Sequence, residues 1–291
     1  REGSVVAMGK DLDEPAVECG VFVLPAEVFD HQDEAAAAGD NSLAGAVSRL
    51  AAVRPFTIVP LPEECWWQDI DTPSDLSVAR RRLRRSLVKG GDGPVSRYLN
   101  RPISTRISVA VASLRPAPDL LSALAALVGV LSGWLLSVGA GIAGGVLVLA
   151  TSVLDGVDGE SARLQMRASP RGAMLDGVLD RIADAAILAG LGIWALQFAS
   201  AETCLVLTTA ATTGAILSMA TKDRAAALTL PQAPERVLGW VLGGRDGRLL
   251  LVTVFALARL PVVALIAVTA TSAVSLAARV AFVRRVVRRS L

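Results

Sequence analysis

Residues 155–180 read DGVDGESARLQMRASPRGAMLDGVLD. Asp155 and Asp158 are three positions apart, and Asp176 and Asp180 four. On a helix, either spacing puts the two side chains on one face. An apolar run over residues 142–154 leads into the first pair, and another over 177–198 carries the second. If these runs are antiparallel neighbouring helices, four carboxylates converge at one depth. Unpaired, they would repel one another strongly in a partly desolvated site. A hard divalent cation with oxygen ligands relieves that repulsion, and Mg²⁺ is the natural candidate. Softer metals find no ligand set, because His31 is the sole histidine and Cys19, Cys65 and Cys204 lie far apart. Helix capping explains one or two of the acids, but not all four.

Outward from this stretch, the apolar runs repeat. Residues 119–138, 142–154, 177–198, 204–220, 249–268 and 274–283 read as six spans, the last two divided by Thr269-Ala270-Thr271-Ser272. About 20 apolar residues cross a hydrocarbon core of about 30 Å as a helix. The chain has 53% hydrophobic and 19% charged residues and a mean hydropathy of +0.52. Those values exclude disordered and disulfide-scaffold classes. A soluble protein with buried helices is the weaker alternative, since the runs are too many and too rich in Ala, Leu and Val. Arg259 and Arg279 fall inside the last two spans and need partners there.

The loop charges set the expected orientation. Arg163, Arg167, Arg171, Lys222, Arg224, Arg236, Arg245, Arg248, Arg284, Arg285, Arg288 and Arg289 all fall on one side, whereas loops near 139–141, 200–203 and 269–272 hold no Lys or Arg. This positive-inside pattern places both termini in the cytoplasm and the bundle in the cytoplasmic (inner) membrane. The net charge of +2 conceals three regimes. Residues 1–75 carry 4 Lys/Arg against 15 Asp/Glu, residues 76–116 carry 10 against 1, and residues 117–291 carry 15 against 11. The expected domains follow: an α/β segment over 1–75, a basic linker with an amphipathic juxtamembrane helix over 76–116, and a six-helix bundle over 117–291. In the first, residues 5–8, 20–24 and 56–59 read as strands and 35–53 as a helix. Residues 76–90 form a basic helix better suited to anionic lipid than to nucleic acid. The cysteines read as unpaired thiols of a reducing compartment, and no secretory-signal pattern opens the sequence.

The order D-x2-D-G-x2-A-R-x8-G-x3-D-x3-D is met by Asp155, Asp158, Gly159, Ala162, Arg163, Gly172, Asp176 and Asp180. It resembles the signature of the CDP-alcohol phosphotransferases, membrane enzymes with six transmembrane helices. The resemblance implies that a CDP-linked donor loses CMP as its phosphoryl group passes to an acceptor hydroxyl. It further implies Mg²⁺ or Mn²⁺, as two ions, held by Asp155, Asp158, Asp176 and Asp180, with Asp180 also the general base. Gly159, Ala162, Arg163 and Gly172 would meet the nucleotide. Members using a phosphorylated inositol place basic residues where Lys222, Arg245, Arg248 and Arg279 could form an anion pocket, although positive-inside anchoring explains such residues equally well. A homodimer is a further implication, and no nucleic-acid partner is expected.

Two further stretches carry resemblances. Cys65-Trp66-Trp67-Gln68-Asp69-Ile70-Asp71-Thr72-Pro73-Ser74-Asp75-Leu76 is similar to the end of sugar-phosphate nucleotidyltransferase domains, which would make Asp69 and Asp71 candidate metal ligands. Independently of that, Thr72-Pro73 is a helix-start signal. The family's Gly-rich nucleotide loop does not occur, so only the later part of such a domain is represented. Residues 94–104 resemble the juxtamembrane helix of bifunctional inositol-phosphate cytidylyltransferase/di-inositol-phosphate-phosphate synthases. The joining of a nucleotidyltransferase-like segment to the bundle implies a small soluble donor such as CDP-inositol, and inositol 1-phosphate would then be the acceptor. The alternatives are a CDP-diacylglycerol-dependent phosphatidyltransferase with a lipid product and, from another class, a non-catalytic membrane scaffold.

Overall fold

The computed structural model describes residues 4–5, 8, 19–54, 56–62, 65–230 and 243–290. Two units separate, Arg1–Leu76 and Ser77–Leu291.

In the first unit, β1 (Ser4–Val5) pairs antiparallel with β2 (Phe56–Thr57), Ser4 opposite Thr57. Two helices, α1 (Val28–Ala37) and α2 (Leu43–Val53), pack on one another around Val28, Ala46 and Leu50, with Leu24 and Phe56 against them. The single helix expected over 35–53 is therefore two. Gly39 takes φ +88°, a left-handed geometry that ends α1 without a Cβ penalty. Ser42 then caps α2, its hydroxyl accepting from Gly45 N at 3.1 Å. Residues 20–24 form no strand, and of 5–8 only Val5 and Met8 are described. The helix-start signal at Thr72-Pro73 is real: α3 (Pro73–Ser86) begins there. Asp75 Oδ2 accepts from Thr72 N at 2.9 Å and from Thr72 Oγ1 at 2.7 Å.

The second unit is helical. A π-turn (Ser96–Asn100) runs into α4 (Arg101–Val111), followed by α5 (Pro118–Ser137), α6 (Gly141–Leu164), α7 (Pro170–Ala195), α8 (Ala201–Ala227), α9 (Arg245–Leu257) and α10 (Pro261–Ser290). Among the described residues, four segments are long and apolar enough to cross a membrane: α5, α6, α8 and Pro261–Val286 of α10. The chain is an integral membrane protein. Among the expected spans, α7 is long but carries Asp176, Asp180, Arg181 and Asp184. Helix α9 has 13 residues, a rise of roughly 20 Å.

The last two spans differ from expectation. The break lies at residues 258–260, ahead of Pro261, and residues 269–272 are helical. Within α10 the Thr269 and Thr271 hydroxyls donate back to the carbonyls of Leu265 (2.8 Å) and Ala267 (2.9 Å), so polar side chains there need no loop. Arg259 accordingly sits exposed in that turn at φ +58°, not within a span. Arg236 lies outside the described residues, as do the side chains of Arg288 and Arg289.

Helices α6 and α7 are not packed side by side along their lengths. Instead α5 packs on both, and α6 and α7 make little contact with one another. The α5–α7 contact is made of backbone. A Cβ on Gly190 would lie 1.9 Å from Gly133 O, and one on Gly133 would lie 2.3 Å from Ala186 O. Small residues are what allow helices to approach so closely in a membrane. The buried core continues through Leu136, Ile187, Leu191, Ala211 and Leu265.

Candidate active site

The end of α6, the start of α7 and the first turn of α9 converge. Asp155 and Asp180 are within hydrogen-bonding reach of each other, as are Asp158 and Asp176. The four acids thus form two cross-helix pairs. One carboxylate oxygen from each of Asp155, Asp176 and Asp180 lies within 4.8 Å of the others. Asp158 accepts from Ser122 Oγ on α5 and from Gly159 N. An all-oxygen donor set at this separation fits a hard divalent cation.

A single guanidinium crosses the cluster. Arg245, the first residue of α9 and 8% exposed, places Nη1 2.6 Å from Asp155 Oδ1 and 3.0 Å from Asp180 Oδ1, while Nε donates to Asp184 Oδ1 at 2.9 Å. Arg245 is therefore tied to the carboxylates rather than standing apart with Arg248. Arg248 is buried and donates from Nη1 to Gly243 O at 2.9 Å. Arg279 is also buried, with Nη1 donating to the Ser218 carbonyl and, at 2.7 Å, to Ser218 Oγ. That contact is the partner its mid-span position called for. Lys222, Arg245 and Arg279 line a cavity of about 190 Å³ together with Asp155 and Asp180, and Arg248 does not. Residues 91–96, the turn and first helical residues that lead into the π-turn, line it as well.

The expected nucleotide residues lie on the last turns of α6 and the first of α7. A Cβ on Gly159 would meet only Arg163 Nη1, at 3.4 Å, and one on Gly172 would meet Ser169 Oγ at 3.3 Å and Asp119 Oδ1 at 3.7 Å. Both backbones are thus open to an approaching group. Ala162 is half-buried, and Arg163 donates to Leu87 O at 3.2 Å. Burial first, and then the Arg163 and Arg101 charges, hold the nearby Lys89 ammonium below its ordinary range.

Several residues here were missed by sequence reasoning. Asp184 extends the Asp176, Asp180 series by another four positions, a signal that was present. Asp246 accepts from Ser152 Oγ at 2.9 Å, and Ser152 accepts from Asn100 Nδ2 at 2.8 Å. Glu160 is fully buried on α6. Ser122, Asn100 and Glu160 stand at positions where only tertiary contact reveals a role.

Residues 115–276, more than half of the 291-residue chain, match the CDP-alcohol phosphatidyltransferase family. The chain belongs to this family. Similar members include the bifunctional IPC transferase and DIPP synthase of Aquifex aeolicus (strain VF5), 34% identical over 258 residues, covering 87% of this chain and 58% of that protein. The protein of the same name from Archaeoglobus fulgidus is 35% identical over 260 residues, covering 88% and 50%. The chain spans about half the length of the curated relatives it matches. Among solved structures, the fold is shared with Mycobacterium tuberculosis phosphatidylinositol phosphate synthase with CDP-DAG bound, at TM-score 0.51 and 23% identity, over 62% of this chain and 94% of that one. The same enzyme in complex with manganese and citrate matches at TM-score 0.51 and 24% identity, over 62% and 88%.

Proposed function

We propose that the chain transfers a substituted phosphoryl group from CDP-inositol to a hydroxyl of inositol 1-phosphate and releases CMP. The observation that carries this reading is the convergence of Asp155, Asp158, Asp176 and Asp180 beside a cavity lined by Lys222, Arg245 and Arg279. Relatives named bifunctional IPC transferase and DIPP synthase support the inositol branch.

In this reading the four carboxylates hold Mg²⁺ or Mn²⁺, as a pair of ions. Such ions would supply neutralisation of the donor pyrophosphate and stabilise the leaving CMP. Asp180 accepts the proton of the acceptor hydroxyl as its oxygen bonds to phosphorus, and the phosphorus–oxygen bond to CMP breaks. Lys222 and Arg279 orient the acceptor phosphate, with Arg245 shared between that anion and the acids. Arg248 lies behind this wall and acts on it through charge. Gly159, Ala162, Arg163 and Gly172 receive the nucleotide.

The architecture proposed with it has six spans, α7 and α9 being the third and fifth. The bundle occupies residues 117–291, the basic linker and juxtamembrane helix 76–116, and a nucleotidyltransferase-like segment 1–75. Both termini face the cytoplasm across the inner membrane, in a homodimer. Arg259 is the exception to the positive-inside pattern, against Arg163, Arg167, Arg171, Lys222, Arg224, Arg245 and Arg248 on the other side.

A second reading, transfer from CDP-diacylglycerol, is favoured by the fold shared with an enzyme solved with CDP-DAG bound. Purified protein assayed for CMP release with each donor separates the two, and release with the lipid donor alone overturns the first. Asp176→Ala is expected to abolish release with either donor, and undiminished turnover would refute the metal assignment. A non-catalytic scaffold instead predicts full function in Asp180→Asn and no Mn²⁺ binding.

A further inference from the structure

Arg101, at the start of α4, makes a branched polar contact outside the carboxylate cluster. Its Nε and Nη2 fork onto Asp92, reaching Oδ2 at 2.8 Å and Oδ1 at 3.1 Å. Its Nη1 donates to Glu160 Oε1 on α6 at 2.6 Å. Glu160 is fully buried, and Ser104 and Ser108 of α4 each donate a hydroxyl to it at 2.7 Å. Asp92 also accepts from Lys89 N at 3.0 Å, which closes a turn. A Cβ on Gly156 would lie 3.0 Å from Arg101 Nη1, so the guanidinium lies across α6 immediately beside Asp155. The segment held this way, residues 91–96, lines the same cavity as Asp155 and Asp180.

A buried ion pair is a weak source of stability, since desolvation cancels most of the attraction. What the planar fork supplies is direction: two parallel hydrogen bonds fix Asp92 in distance and in plane. The third contact ties that geometry to the helix that bears Asp155 and Asp158. Gly91 sits in this loop with room to spare, a Cβ there meeting nothing within 4 Å.

We propose that Arg101 is a positioning residue, gripping Asp92 and Glu160 together so that the loop of residues 91–96 forms a fixed wall that sets which polyol phosphate the cavity accepts. This rests on the acceptor site assigned above. Arg101 touches neither donor nor acceptor. It acts through the loop, and the loop acts by limiting size and orientation.

The test uses the full chain in detergent with Mg²⁺. Arg101→Lys keeps the charge and loses the fork, Asp92→Asn loses the fork from the other side, and Gly91→Leu narrows the cavity without touching the network. Each is expected to raise the acceptor KM by about tenfold or more while donor KM stays within about twofold. If Arg101→Lys does not fold, Asp92→Asn and Gly91→Leu carry the test, because both leave the Arg101–Glu160 contact in place. Donor and acceptor KM rising together, or an acceptor KM unchanged in Gly91→Leu, overturns the assignment. Thermal stabilisation by inorganic phosphate reads the same cavity without turnover. If the wild type releases no CMP but phosphate binding weakens about tenfold in Asp92→Asn and Gly91→Leu, the activity fails and the positioning role stands. Equal phosphate binding in all variants overturns the positioning role.

Discussion

Two helix interfaces in the membrane unit bracket the carboxylates, and they are built on opposite principles. Between α5 and α7 the contact is made by what is missing: Gly133 and Gly190 bring one backbone onto the other. Between α4 and α6 it is made by buried charge, with Arg101, Ser104 and Ser108 converging on Glu160. The first derives its strength from dispersion and close approach, and it has no room to adjust. The second derives direction from hydrogen bonds and costs desolvation, so its value is geometric. The difference teaches that one interface sets how far apart the site's helices stand, and the other sets how the cavity wall faces them.

Gly190→Leu should break the comparison most severely. Its Cβ would fall 1.9 Å from Gly133 O, which is backbone and cannot move aside. Destabilisation of more than about 3 kcal/mol is expected, read as loss of monodisperse protein and a lower unfolding temperature in detergent. Glu160→Ala comes next at about 3 kcal/mol, because Arg101 loses a buried partner and two serine hydroxyls lose their acceptor. The double variant Arg101→Met with Glu160→Leu sharpens the contrast. It should cost less than Glu160→Ala alone, since no buried guanidinium is left unpaired, although Asp92, Ser104 and Ser108 each lose a partner. A large loss there would show that the charge network stabilises outright. Ser108→Ala removes one donor to Glu160 and should cost about 1 kcal/mol.

The smallest effect lies in the first unit, where the cap of α3 is exposed and its charge is screened. Hydrogen bonds from the Thr72 side chain, and then from its backbone N–H, hold Asp75 below its ordinary pKa of 3.8. A depressed carboxyl pKa stabilises the fold above the unfolded value, and that contribution is lost as pH falls through the folded one. Helicity measured by circular dichroism from pH 6 downward should therefore show a slight excess loss below about pH 4 that Asp75→Asn removes.

The convergence of the four acids was legible because its information is local. Two spacings and the flanking apolar runs suffice to bring Asp155, Asp158, Asp176 and Asp180 together. The break before Pro261 was missed, although the proline marks it, because residues 269–272 competed with it. Thr and Ser read as loop in a hydropathy profile, whereas in a helix their hydroxyls donate to carbonyls one turn back. The helix expected over 35–53 failed for the converse reason, since Gly39 and Ser42 were outweighed by the surrounding alanines. The binding of Arg245 to three acids, Asp155, Asp180 and Asp184, depends on where α9 docks, which no local pattern encodes. The same holds for Glu160, whose partners come from 52 to 59 positions earlier in the chain.

Because α6 and α7 touch mainly through α5, the width of the carboxylate cluster is set by a helix that contributes no acid to it. Helix α5 is a spacer gauge. A Cβ on its Gly129 would stand 2.6 Å from that of Ala183, one turn from Asp180. A change of one methyl group along this face would therefore dilate or pinch the carboxylate cluster while leaving every acid in place. The spacing of those oxygens can in this way be retuned without altering a single acidic residue.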